Sequence, residues 1–233
     1  MKRFYREVSV GAADPGFRVL LDGRPVKTQG GRPQIVPTRA LANAMAKEWA
    51  DQGEEIDPSG FLFRDLADYA LDVVTHDPAS VIAGLIPYAE TDTLCYRAEP
   101  EEPLFKRQQD EWEPFLAQFE AAHGLRFERI SGIVHRPQPE ATLSALRTLL
   151  EGRDAFTLAA LNTLTTLAAS LIIGLAALAD GADAESLWAI TNLEEDWQAE
   201  LWGQDWMAQE RRARRLAVFG AAMRFAALSR ARG

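Results

Sequence analysis

Residues 155–180, AFTLAALNTLTTLAASLIIGLAALAD, run for 25 positions before the first charge, Asp180. A chain with such a segment must bury it in a bilayer or in its own core. The length would cross a membrane. However, Thr157, Asn162, Thr163, Thr165 and Thr166 crowd the first half, and no Lys/Arg cluster anchors either end. The reading is one buried central helix, 155–179, in a soluble helical domain, with no membrane insertion. The 233 residues can bury such a helix without staples. The net charge of −9 argues against wholesale binding of nucleic acid or anionic membrane.

The first third has a different rhythm. GFRVLLDGRPVKT alternates around Asp22-Gly23, a hairpin signal, and QIV at 34–36 reads as a short strand. Residues 1–37 are therefore expected to form a small β meander. Thr38 stands where a helix N-cap belongs, and Leu41, Met45 and Trp49 follow at spacing four on one face. Helical periodicity then covers 61–75, 78–88, 103–123, 140–150 and 184–228, with a kink or break expected at Pro114. Gly203 and Asp205 read as a helix stop and a fresh N-cap. The fold class is α+β: a β-rich N-terminal domain with its first helix, residues 1–52, and a larger helical C-terminal domain, 53–233.

Catalytic signatures are missing. His76, His123 and His135 have no second ligand at metal spacing, and no nucleotide-binding glycine loop or GxSxG occurs. Cys95, the one cysteine, permits no internal disulfide and reads as a buried small hydrophobe in a protein of a reducing compartment. No enzyme, cofactor, metal or nucleotide is expected.

The segment LEEDWQAELWGQDW, residues 193–206, gathers three tryptophans and five acidic side chains. On a continuous helix, Trp188, Glu195 and Trp202 are seven apart and share a face, flanked by Thr191 and Gln198. Trp197 and Leu201 fall on the opposite side, which can pack inward. A carboxylate between two indoles makes a poor core and a serviceable recognition surface. The competing reading pairs Glu195 with one of the chain's own arginines.

WQAELWG, with the acidic run before it, resembles the C-terminal signature of the ATP synthase assembly chaperones that bind the alpha subunit of the catalytic head. RFY (3–5), LDGRPVKT (21–28), PTRALA with Glu48-Trp49, TDTLCYRA (91–98), Trp112-Glu113-Pro114, and Gly132-Ile133 with Gln138-Pro139 extend the likeness in order along the chain. Two departures stand out: Asp68-Tyr69 where the family has Asn-Thr, and Glu194 in place of Asp. The resemblance implies a non-enzymatic task, holding the free alpha subunit until the beta subunit replaces it. It nominates Glu195, Gln198, Trp202 and Gly203, with Glu194 and Trp188, as partner-binding residues, and Trp49 and Trp197 as structural ones. The start at Met1 suggests a bacterial cytoplasmic member, with the mitochondrial matrix the place of a processed eukaryotic one. An acid–base hydrolase using Glu195 and a general helical scaffold are the rival classes.

Overall fold

The computed structural model describes residues 1–132, 135–203 and 205–231; Ile133 of the Gly132-Ile133 pair lies outside them. The chain forms two compact units. The first comprises Met1–Pro78, Arg153–Ala160 and Gly220–Gly233. In it, β1 (Val8–Ala13) and β2 (Gly16–Leu21) pair antiparallel with Val10 opposite Val19, and β3 (Arg24–Pro25) extends the sheet beside β2. Asp22 (φ 48°) and Gly23 (φ 77°) both take the left-handed conformation that the tight turn between β2 and β3 requires. The Asp22 carboxylate accepts the N–H groups of Arg6 and Glu7, so the turn also fastens the N-terminal segment. The strand expected at 34–36 is only a bridge between Val36 and Phe17. Pro33 and Pro37 flank it and can donate nothing to a ladder.

Helix α1 (Arg39–Ala50) starts at Thr38, whose hydroxyl accepts the Leu41 N–H at 3.1 Å. Leu41, Met45 and Trp49 are all buried, as their spacing requires. The Tyr5 hydroxyl donates to the Trp49 carbonyl at 2.7 Å, and Trp49 lies against the rings of Tyr5 and Phe61. Next to it, Glu48 accepts the N–H groups of Phe63 and Arg64 at 2.6 and 3.0 Å, capping α2 (Leu62–Tyr69) from outside. A π turn, Ala70–Val74, continues α2. Asp68 and Asp72, one turn apart, hold the loop after β3. Asp68 accepts from the Gln34 side chain and the Gln29 N–H, and Asp72 from Thr28 Oγ1 and the Gly30 N–H. The Asp68 departure from the family pattern is thus a structural bond of this chain. Within the same unit Phe225 stacks with Phe63 and Phe156. The boundary expected after residue 52 falls inside this unit, because α2 packs on α1.

The second unit comprises Ala79–Gly152 and Leu161–Phe219. Here α3 (Pro78–Leu85) and α4 (Pro87–Glu90) lead to β4 (Tyr96–Arg97), which pairs in parallel with β5 (Ile130–Ser131). Helix α5 (Pro103–His123) runs through Pro114 without the break that the proline allows for. Fully buried Trp112 and Leu116 anchor it on both sides of the proline, and Trp112 Nε1 donates to the Ile190 carbonyl at 2.8 Å. Glu113 receives Arg97 and Arg129, which also fixes this stretch. After β5 comes α6 (Glu140–Glu151).

The long apolar segment is buried, but it is two helices. Helix α7 (Ala155–Ala168) ends at Ala169, whose φ is 49°, and Ser170 caps α8 (Leu171–Ala176) by accepting the Ile173 N–H. The break comes from polar bonds that compete with the helical ones, the local cap by Ser170 and two more from residues distant in sequence. Asp92, wholly buried, accepts from the Ile172 N–H, while Thr93 Oγ1 donates to the Ala169 carbonyl. Among the described residues no helix is long and apolar enough to cross a membrane. Cys95 is buried, and burial pushes its thiol well above the usual range.

Two carboxyls respond to their surroundings in the same direction. Burial raises Asp92 to about 7 despite its backbone donors, and burial raises Glu48 to about 7 as well. Between the ordinary carboxylate range and about pH 7, the folded chain therefore holds more protons on these groups than the unfolded chain. Their contribution is fully present at low pH and is lost as pH rises through the folded values. The melting temperature of Asp92→Asn should accordingly fall less than that of the parent across this window. Parallel pH profiles for the two proteins would show that Asp92 does not titrate in this way.

Candidate partner-binding site

Asp183 accepts the Ser186 N–H at 2.8 Å and starts α9 (Ala184–Thr191). Helix α9 does not continue into α10 (Leu193–Trp202). Asn192 leaves helical geometry at φ −102° and ψ 18°, and its side-chain amide donates to the Trp188 carbonyl at 2.7 Å. That break interrupts the single helix on which the seven-residue stacking is expected. Trp188 is 2% exposed, tilted against Phe219 with the Arg215 guanidinium over its ring. It is a core residue, not an exposed neighbour of Glu195 on a recognition face.

One side of α10 turns toward α5. Glu194 accepts from buried Gln108 at 2.7 Å, and desolvation raises its pKa. Its carboxylate is thereby occupied within the chain. Trp197 is half-buried beneath Arg107, whose guanidinium lies 5.8 Å from the ring centroid and also pairs with Glu200 and Glu111. Leu201, expected on this inward side, is 59% exposed instead. It sits in the last turn, next to the helix end at Gly203.

The other side of α10 builds a cleft. Glu195, Gln198, Trp202 and Gly203 line a cavity of about 450 Å³ together with Arg211, Arg212 and Arg215 of α11 (Trp206–Arg230). Arg212 is committed to Asp196, and Arg215 donates to the Leu167 carbonyl. Among the described residues neither Glu195 nor Arg211 forms an ion pair, so the internal pairing weighed for Glu195 is not made. Gly203 has φ 89° and closes α10. Asp205 also lines the cleft, and one of its oxygens accepts the Met207 N–H as the cap of α11.

The turn between α10 and α11 presents large apolar side chains to solvent. Trp202 is 85% exposed, Trp206 70% and Met207 52%. Trp206 closes the tryptophan-rich segment without a role assigned from sequence, and Met207 and the α11 arginines carry none either. The signals were there: a tryptophan directly after a cap, and RRARR at 211–215. A free carboxylate, a free guanidinium and the exposed indole of Trp202 around one cleft suit recognition of another polypeptide, where Trp and Arg dominate contacts. Among the described residues no group of His, Cys, Asp and Glu is arranged to hold a metal ion.

Comparison with known proteins identifies the fold and the family. The chain is 36% identical to Atp12 of Paracoccus denitrificans, whose crystal structure superposes with a TM-score of 0.92 over 98% of both chains. A provisionally assigned chaperone of Agrobacterium tumefaciens is 37% identical, with a TM-score of 0.93 over 97% of this chain and 85% of its own. The mitochondrial protein atp12 of Schizosaccharomyces pombe is 25% identical over 214 residues, 87% of this chain and 74% of that one. The sequence model of the family described as ATP12 chaperone protein matches residues 2–120, which end before α10 begins. With half the chain matched by that model and nearly all of it by solved relatives, this chain belongs to the ATP12 chaperone protein family.

Proposed function

We propose that this chain binds the unassembled alpha subunit of ATP synthase and shields it from aggregation until the beta subunit takes its place. A chaperone role in ATP synthase assembly follows from the family, and the client we assign to it is the alpha subunit. The observation that carries it is the cleft on α10, where an unpaired Glu195 adjoins a Trp202 that is 85% exposed. A free subunit displays a large apolar interface, and a chaperone must cover it and then yield to a better-fitting partner. The α10–α11 tip offers apolar cover, and Glu195 with Arg211 offers directional pairing. The task is non-enzymatic and uses no nucleotide. It takes place where the subunit is free: the bacterial cytoplasm, or the mitochondrial matrix for a processed member.

Glu195→Lys tests the reading. The position is exposed on a helix, so Lys should leave the melting temperature within a degree or two of the parent. It should weaken suppression of alpha-subunit aggregation by roughly tenfold or more, the effect of reversing a charge at a desolvated contact. Glu195→Gln, which keeps shape and hydrogen-bonding capacity, should do less. Full protection by a normally folded Glu195→Lys would place the binding face elsewhere.

A further inference from the structure

Helix α10 has ten residues, is separated from α9 by the break at Asn192, and has no side-chain cap at its start. A helix that short is marginal by itself, so its neighbours decide how it lies. Three side chains of α5 hold this part of the second unit. Trp112 donates to the Ile190 carbonyl just before the break. Arg107 pairs with Glu200 near the far end of α10, but both groups are partly open to water and such pairs are weak. Gln108 differs from Arg107 in being wholly buried.

The surroundings of Gln108 leave its amide one orientation. Its Oε1 accepts the Ala98 N–H at 2.8 Å, a group that can only donate. Its Nε2 therefore points the other way and donates to Glu194 Oε1 at 2.7 Å. The backbone is held as well. The Gln108 carbonyl accepts from Arg97 Nη1 at 3.3 Å, and buried Arg97 is itself fixed by the Leu94 carbonyl and by Glu113. If α10 turned away from α5, a buried N–H would lose its acceptor, and a carboxylate acceptor makes this bond one of the stronger kind. Glu194 and Glu195 are neighbours in the first turn of α10, about 100° apart around its axis. Seating Glu194 on α5 thus sets the rotation of the helix and directs Glu195, Gln198 and Trp202 to the cleft. The Asp196–Arg212 pair ties α10 to α11, not to α5.

We propose that Gln108 is a positioning residue of the α10 cleft: through its bond to Glu194 it sets the orientation in which Glu195 and Trp202 meet a client. The proposal rests on the reading of that cleft as the client site.

The test compares the full chain with Gln108→Met and with the swap Gln108→Glu plus Glu194→Gln. Methionine keeps the shape and loses both side-chain bonds. The swap keeps them, because the carboxylate at 108 accepts from Ala98 and from the amide now at 194. If Gln108 only fills space, methionine is the better tolerated change, since the swap buries a carboxylate. If it positions α10, the order reverses. Gln108→Met should speed hydrogen exchange at the amides of residues 196–202 roughly tenfold and weaken suppression of alpha-subunit aggregation roughly fivefold, as expected when a coupled pair is broken. Protection in α6 and α8 should stay at the parent level. The swap should return both quantities to within about twofold of the parent. Unchanged α10 exchange in Gln108→Met, lost protection throughout the unit, or a swap no better than methionine would overturn the proposal. So would a loosened α10 with undiminished suppression of aggregation, where Glu195→Lys still loses it. If Glu195→Lys also suppresses aggregation fully, the reading of the cleft has failed and takes the proposal with it.

Discussion

Trp49→Arg is expected to leave little folded protein. Trp49 is 7% exposed and ends the buried stripe begun by Leu41 and Met45. Its loss removes ring contacts with Tyr5 and Phe61, and truncating a buried tryptophan costs about 3–5 kcal/mol. The new guanidinium would enter a place already occupied by cations. Arg64 lies 5.9 Å from the Trp49 ring centroid, and Arg3 donates to the Gln52 carbonyl close by. An unpaired charge in such surroundings adds a further penalty. Domains of this kind have only about 5–15 kcal/mol in hand, so the sum approaches the whole stability. Trp49→Phe should cost clearly less than Trp49→Arg, because it keeps an aromatic ring and loses an N–H that had no acceptor, leaving only the space of the smaller ring. Circular-dichroism melting of both variants decides the matter. A Trp49→Arg protein that melts with the parent would show that this ring is not part of the core.

The α+β division was legible because its signals are local. Thr38 caps α1 and Leu41, Met45 and Trp49 are buried together, since a 3.6-residue period and a cap need only neighbouring residues. Gly203 ends α10 and Asp205 caps α11 for the same reason. The errors came where a distant side chain decides. Nothing near residue 169 reveals that Thr93 will bond its carbonyl or that Asp92 will cap the next helix. Pro114 reads as a break because the packing of Trp112 and Leu116 that overrides it is tertiary. In the candidate site, one error at Asn192 had a large consequence. A helical wheel assumes a single axis, and Asn192 interrupts the helix between residues 188 and 195. Glu195, Gln198, Trp202 and Gly203 stayed together because they lie on one side of that break.

Trp188→Ala and Trp202→Ala should therefore separate folding from recognition. They stand fourteen positions apart in one tryptophan-rich stretch, but their surroundings differ completely. Trp188 is 2% exposed against Phe219 and beneath Arg215, so its truncation should cost about 3–5 kcal/mol. In a chain of this length that lowers the melting temperature by roughly 6–20 °C. Trp202 is 85% exposed beside an unpaired Glu195, and truncating it should change stability by less than about 0.5 kcal/mol. If α10 and α11 hold the client, that same truncation removes a recognition tryptophan, a loss of at least about 2 kcal/mol in binding, or roughly thirtyfold. Melting curves and alpha-subunit capture, measured on both variants, give four numbers. A Trp202→Ala protein with intact capture would remove the exposed indole from the binding face. A Trp188→Ala protein with an unchanged melting temperature but lost capture would restore Trp188 to the partner side, and the break at Asn192 would have to close into one continuous helix.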